Sequence, residues 1–260
     1  MYLIETEDNI GFLTASYVKN RIKSFVSTKS KPYFVLALPT GGTAVDLYKN
    51  LVRFYKEGLS FDNVVTFNLD EYANLPENHP ESYHSFMAKN FFDHIKIPKE
   101  QVNILNGNAK NLDKECISYE KKIKNYGGID LFLGGIGQNG HVAFNEPGSS
   151  FDSKTRVVNL SPNTISANAR FFGGNMFLVP TRALTMGLST IMSAKEVIIM
   201  ATGHNKAQAL YHAFEDKQIT AWPVTVLQKH PRAFIITDKA AAAEISKTTK
   251  QNCGLCSFIN

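Results

Sequence analysis

The sequence is short of several features that mark other kinds of protein. Cysteine is scarce: of 260 residues, Cys116 lies mid-chain and Cys253 and Cys256 lie near the end. That is neither the dense, even framework of a disulfide scaffold nor two ligand pairs for zinc, so a reducing compartment is expected and the terminal pair reads as an ordinary tail. No apolar run approaches the ~18 residues of a membrane span, and the opening MYLIETEDNIGFL carries acids where a leader carries bases. A cytoplasmic protein with no membrane partner is expected. Repeats, low-complexity tracts and long Pro, Gly or Ser linkers are also missing, which leaves nowhere to cut the chain by composition, and residues 1–260 read as one domain.

What is present is a globular composition, 43% hydrophobic and 20% charged, ample for a core. The formal charge of +5 is dispersed and forms no basic run, which argues for small anionic substrates and against nucleic acid as a partner. Short apolar runs rich in β-branched and aromatic residues recur at 33–38, 64–69, 129–133, 197–200 and 233–236 and predict buried parallel strands. Amphipathic stretches alternate with them at 10–26, 45–55, 82–92, 112–126, 184–192 and 205–214. Alternation of this kind predicts a three-layer α/β fold, a doubly wound, mostly parallel, Rossmann-like sheet with helices on both faces. Ligands in such folds bind outside the carboxyl ends of the strands, so chemistry is sought in the loops that follow them.

The first such loop is Pro39-Thr40-Gly41-Gly42-Thr43, entering a helix. Its glycines leave backbone N–H groups bare and its threonines add hydroxyls, a set suited to phosphate; alone it is equally an ordinary capped turn. The second strand exits through Asp70 and Glu71, of which strand alternation lets at most one face a substrate, and that one is a candidate general base. The third strand is followed by residues 134–148, which contain Gly135, Gly137 and Gly140 in a formal GxGxxG. A dinucleotide loop would open a helix and find an acid ~20 residues later; here Pro147 and Gly148 interrupt any helix and 155–160 holds no acid. What remains is a glycine-rich loop presenting His141 for proton transfer and Glu146 to orient it or hold its charge. Arg170 and Lys206 supply a bidentate clamp and a point charge for the same anion as the Thr40 loop. His79 and His84 lack the helical i, i+4 spacing of a zinc pair, and no metal is expected.

In order and spacing, Leu38-Pro39-Thr40-Gly41-Gly42-Thr43, Asn68-Leu69-Asp70-Glu71-Tyr72, the stretch Gly137-Gln138-Asn139-Gly140-His141-Val142-Ala143-Phe144-Asn145-Glu146-Pro147-Gly148 and Asn168-Ala169-Arg170-Phe171-Phe172 resemble the glucosamine-6-phosphate deaminase family, over roughly residues 33–238. The resemblance implies a cofactor-free isomerisation and deamination of glucosamine 6-phosphate in amino-sugar catabolism. His141 would shuttle the ring-opening proton, supported by Asn139 and Glu146. Asp70 would move a proton from C2 to C1, and water would hydrolyse the resulting imine to fructose 6-phosphate and ammonia. Thr40, Gly41, Gly42, Thr43, Arg170 and Lys206 would hold the phosphate, with Glu71 and Gly137 in secondary roles. Glu146 separates this reading from the related 6-phosphogluconolactonases, which lack it. Another sugar-phosphate isomerase or lactonase, or a non-catalytic sugar-phosphate sensor, are the alternatives.

Asn139 stands where many members have Asp, so ring opening is expected to lean on Glu146, with His141 less basic. Ser149, Ser150 and Arg156 match the effector site of allosteric members, but Val158 replaces its Lys and 251–260 does not match its tail, so a weak or absent N-acetylglucosamine 6-phosphate response is expected. The segment at about 156–185, with Gly173 and Gly174, resembles the family's mobile lid. Members range from monomers to hexamers, which leaves a homo-oligomer open.

Overall fold

The computed structural model describes residues 1–253; Cys256, and with it the reading of the terminal cysteine pair, lies outside them. In chain order the elements are β1 (Tyr2–Glu5), α1 (Ile10–Ser24), β2 (Phe34–Leu38), α2 (Gly42–Lys56), β3 (Val64–Asn68), β4 (Asp70–Tyr72), α3 (Tyr83–Asn90), β5 (Val102–Asn103), α4 (Leu112–Asn125), β6 (Leu131–Gly135), β7 (Arg156–Asn159), α5 (Pro162–Asn168), β8 (Arg182–Thr185), α6 (Leu188–Met192), β9 (Glu196–Ala201), α7 (Ala207–Glu215), β10 (Ala233–Thr237) and α8 (Lys247–Cys253). None of these helices is long and apolar enough to cross a membrane.

Seven strands form one parallel sheet in the order β1-β10-β9-β6-β2-β3-β5. Its central strands are apolar throughout because both faces are covered, as Phe34-Val35-Leu36-Ala37-Leu38 shows, buried at every position. Alternate residues of β2 divide between two cores. Val35 and Ala37 pack with Tyr119 of α4 and Leu210 of α7, while Phe34, Leu36 and Leu38 pack with Leu13 of α1, Leu47 of α2 and Met87 of α3. The doubly wound α/β architecture expected from the sequence is thus the one observed. From β2 the chain builds outward through β3 to β5, then returns to β6 and builds the other way through β9 to β10. The boundary between β2 and β6 is therefore the topological switch point.

Three strands stand apart as a small antiparallel sheet, β4-β8-β7. Here the structure corrects the sequence reading: the helix expected over 184–192 begins only at Leu188, because Leu184 and Thr185 belong to β8. Thr185 pairs on one side with Asp70 and on the other with Arg156, and cross-strand pairing outweighs the helical periodicity of the stretch. The edge strands β1 and β5 were also not anticipated; β5 is two residues long.

The small sheet is held tightly against the loop after β5. A Cβ at Gly107 would lie 2.0 Å from the Tyr72 carbonyl oxygen, and the Asn74 N–H donates to the Gly107 carbonyl at 2.9 Å. Replacing Gly107 with Ala should cost about 1–3 kcal/mol through overpacking against backbone. Urea unfolding with an unchanged slope checks this, and parent-like stability would show that the loop yields freely.

Candidate active site

The two loops that leave β2 and β6 face each other across the switch point. After β2, Gly41 caps α2 with φ 92°, a conformation that disfavours any residue with a Cβ, and it offers no side chain to the first-turn N–H groups. Other helices close the same end with a side chain: Asn9 accepts from Phe12, Ser82 from Ser85 and Asn111 from Lys114. The start of α2 is thus left open to an anion. Tyr48 donates to the Pro39 carbonyl, which fixes the start of the loop.

After β6 the chain forms no helix over 136–155, in agreement with the rejection of a dinucleotide loop. It makes a tight turn in which Val142 pairs with Asn145 and Ala143 takes φ 51°, so that His141 and Glu146 flank the turn. The turn is stapled by Asn145, fully buried, whose amide donates to the Val142 and Met186 carbonyls at 2.9 and 2.7 Å and accepts from Arg156 at 2.8 Å. Phe144 N–H donates to Thr185 Oγ1 at 3.0 Å, which ties the turn to the small sheet. Gly137 has a steric reason to be glycine: a Cβ there would sit 2.2 Å from the His141 ring.

Asn139 joins the imidazole to the carboxylate. Its Nδ2 donates to Glu146 Oε2 at 2.9 Å, and its Oδ1 lies 2.8 Å from His141 Nδ1, with the imidazole and carboxylate themselves 3.8 Å apart. Burial would raise the Glu146 carboxyl, but bonds from Thr164 and Asn139, the His141 charge and a bond from Ser161 outweigh it and hold it below the usual range. Ionised, it can only accept, which turns the amide nitrogen toward it and the amide oxygen toward His141. Nδ1 of His141 must therefore donate, leaving the lone pair of the neutral ring on Nε2. Burial, with the nearby Lys206 charge, lowers the proton affinity of His141 against the opposing pull of Glu146.

Across the cleft, Asp70 is buried in β4, and no hydrogen bond from the described residues reaches its carboxylate. Burial first, and the adjacent Glu71 charge second, push it up to about 8. Glu71 points elsewhere: it accepts from the backbone of Tyr72, Tyr83 and His84 at the start of α3. The two acids do face apart, as alternation along the strand requires.

Lys206, in the turn between β9 and α7, and Arg170, after α5, act on each other electrostatically, and neither has a carboxylate partner among the described residues. Lys206 is held below its usual value by burial and then by Arg170. The structure thus brings Lys206 within electrostatic reach of both His141 and Arg170. The effector-site candidates lie at the edge of the catalytic turn: Arg156 donates to Asn145 and to Ser149 Oγ at 3.2 Å, and Ser150 Oγ accepts from Asp152 N–H at 3.3 Å. Sequence reasoning missed Ser161 and Thr164, which bond Glu146, and the Tyr72 and Tyr83 phenols beside Asp70. Ser161-Pro162 is a helix-start signal that marks an N-cap, but nothing in it points to Glu146.

Fold and site together define a doubly wound α/β protein with a buried acid, a linked imidazole and carboxylate, and two mutually interacting cations in the segments that follow its strands. A family described as glucosamine-6-phosphate isomerases/6-phosphogluconolactonase matches residues 5–236. A glucosamine-6-phosphate deaminase of Borreliella afzelii is 54% identical over 245 residues, 94% of this chain and 91% of that one. A solved monomeric glucosamine-6-phosphate deaminase superposes with TM-score 0.88 at 40% identity, covering 94% of this chain and all of the other. The 6-phosphogluconolactonase of Trypanosoma cruzi, at TM-score 0.74 and 21% identity over 94% of this chain and 97% of that one, shares the fold. This chain belongs to the glucosamine-6-phosphate isomerase/6-phosphogluconolactonase family.

Gly137→Ala should displace the His141 ring and lower kcat/KM by about 10²-fold, the scale of a misplaced general acid–base group, while circular dichroism stays native. Unaltered kinetics would show that the ring does not need this seat. Asp70 gives a stability test with a definite sign. Between the ordinary carboxylate range and about 8 the folded state binds one proton more than the unfolded, so this group's contribution is full at low pH and is lost as pH rises through that window. Asp70→Asn should therefore become progressively more stable than the parent from pH 5 to pH 9 in denaturant titrations; parallel pH profiles would contradict the burial of an ionisable Asp70.

Proposed function

We propose that the protein is a glucosamine-6-phosphate deaminase. The observation that carries this reading is the division of acid–base labour across the switch point: a buried carboxyl with raised proton affinity at Asp70, opposite an imidazole whose tautomer is fixed through Asn139 and Glu146. Carbon acid chemistry needs the first and oxygen acid chemistry the second. The names of the relatives support it.

In this reading the bare start of α2, with Thr40, Gly41, Gly42 and Thr43, and the cations Arg170 and Lys206 hold the phosphate and fix the register of the sugar. Nε2 of His141 accepts the proton of the C1 hydroxyl and returns it to the ring oxygen, opening the pyranose. Glu146 stabilises the imidazolium through its charge, with Asn139 holding the ring. Asp70 then takes the C2 proton and delivers it to C1 while one amine proton passes to the C1 oxygen, converting the 2-amino aldose to the 2-imine of the ketose. Addition of one water to that imine gives fructose 6-phosphate and ammonia, so the atoms balance. The segment between β7 and β8 is the lid. Its ends are paired strands, so its motion belongs to the interior, where Gly173 and Gly174 have φ 63° and 80°. With Arg156 engaged by Asn145 and Ser149, N-acetylglucosamine 6-phosphate gives little or no activation; a sigmoidal velocity curve that it renders hyperbolic would contradict this.

The direct test is ammonia release from glucosamine 6-phosphate by the purified protein, beside Asp70→Asn. The parent should release it with kcat/KM rising through about pH 8 as Asp70 becomes a base. The variant should lose about 10²–10⁴-fold in kcat, the range of a general base, while binding substrate within a few-fold. A folded, substrate-binding parent that releases no ammonia would overturn the reading.

A further inference from the structure

Strand alternation lets at most one of Asp70 and Glu71 face a substrate, and the structure turns Glu71 away from Asp70 to the start of α3. Its side chain is 2% exposed, and its carboxylate is ringed by donors. Oε1 accepts from the Tyr72 and Tyr83 N–H groups at 2.8 and 3.1 Å, and Oε2 from the His84 N–H at 3.0 Å, with the His84 imidazole Nδ1 at 2.7 Å completing the set. Three amides aimed at the oxygens make the carboxylate an acceptor throughout, so the His84 ring donates through Nδ1. These bonds dock the first turn of α3 onto the strand that carries Asp70.

Docking α3 has consequences on the cleft side. Tyr83, first residue of that helix, stacks on Phe144 of the turn bearing His141 with centroids 6.1 Å apart, and its ring lies against that of Tyr72 at 5.0 Å. One clamp beneath Asp70 thus ties β4 through the start of α3 to the turn bearing His141. It also supplies charge. The titratable groups that act on or feel Asp70 are Tyr48 of α2, Tyr72 of β4, Tyr83 of α3, Tyr119 of α4 and Glu71. Burial keeps all four phenols neutral well above pH 8, Tyr72 up to about 12. Glu71 is the formal charge left in that company.

We propose that Glu71, locked by the start of α3 and by His84, is a positioning residue for the reaction: it orients Asp70 and imposes its negative charge on it, while His84 holds Glu71 in place. The role assigned to Asp70 rests on the deaminase reading, but the electrostatic part does not. A like charge one residue away disfavours the ionised form of its neighbour, so Asp70 keeps its proton in the empty site and becomes a base when the cationic amine of a substrate enters. Without that charge the carboxylate would ionise early and bury an unpaired charge in the empty site.

The test is a ¹³C carboxyl titration of substrate-free protein, with Asp70 assigned by Asp70→Asn. Glu71→Gln should lower the Asp70 midpoint by about one pH unit or more, the scale of a removed like charge, and the pH profile of kcat/KM should move the same way. An unmoved midpoint overturns the proposal. If Glu71→Gln does not fold, His84 decides: His84→Leu should lower kcat about tenfold at nearly constant KM, as expected for a lost hydrogen bond to a charged group, and His84→Gln, which keeps a donor, should restore it. Equal kinetics for both His84 variants and the parent would overturn the clamp. Because the titration needs no turnover, a parent that releases no ammonia overturns the deaminase reading and leaves the midpoint to decide the pair.

Discussion

The site depends on a short piece of parallel pairing, Leu36 with Leu131 and Ala37 with Phe132, where β2 meets β6. On either side of it the sheet grows in opposite directions, so the loops that follow these two strands have no crossover helix between them and open onto a shared crevice. The Thr40 loop and the His141 loop are neighbours for that reason, although about a hundred residues separate them. The small antiparallel sheet then carries Asp70 to the same crevice. Its central strand presents Thr185, paired to Asp70 and hydrogen-bonded to Phe144, so a single residue gauges the spacing between Asp70 and the turn bearing His141.

The physical difference between those halves is solvation. Glu146 and Asp70 are both largely removed from water, yet their proton affinities move in opposite directions. Glu146 accepts from Asn139, Ser161 and Thr164 and sits beside His141, and those interactions exceed the cost of burial. Asp70 has no such donors among the described residues and a negative neighbour. Donors and the His141 charge hold one carboxyl ionised, while burial and a negative neighbour push the other toward its protonated form. Asn139 fits this division. In place of a second acid beside Glu146 it offers one donor to the carboxylate and one acceptor to the ring, fixing the His141 tautomer by geometry instead of by charge.

Much of this was legible in the sequence because parallel strands buried on both faces write themselves as unbroken apolar runs. β2, β3, β9 and β10 fall within a residue or two of their expected bounds, and the stretches after β2, β3, β6 and β9 hold Thr40, Asp70, His141 and Lys206 in turn. The residues that went unseen are of another kind. β4, β7 and β8 are three or four residues long and are defined by partners distant in sequence, so Leu184 and Thr185 read as the start of a helix until Asp70 and Arg156 are placed beside them. Ser161 and Thr164 support Glu146 from a helix whose sequence announces an N-cap and nothing more. Glu71 was recognised as facing away from Asp70, but its partners at the start of α3 come into view only when the strand and helix are docked.

The central claim is that Asp70 carries hydrogen between adjacent carbons while the His141 loop handles oxygen. It is tested most directly with glucosamine 6-phosphate deuterated at C2, following the label into the product by mass spectrometry and NMR. The account predicts that the parent places part of the deuterium at C1 of fructose 6-phosphate and the rest in solvent, and that Asp70→Asn leaves it at C2 of unreacted substrate. Deuterium transfer in Asp70→Asn at the parent's rate would contradict it, because another group would then have to be the base.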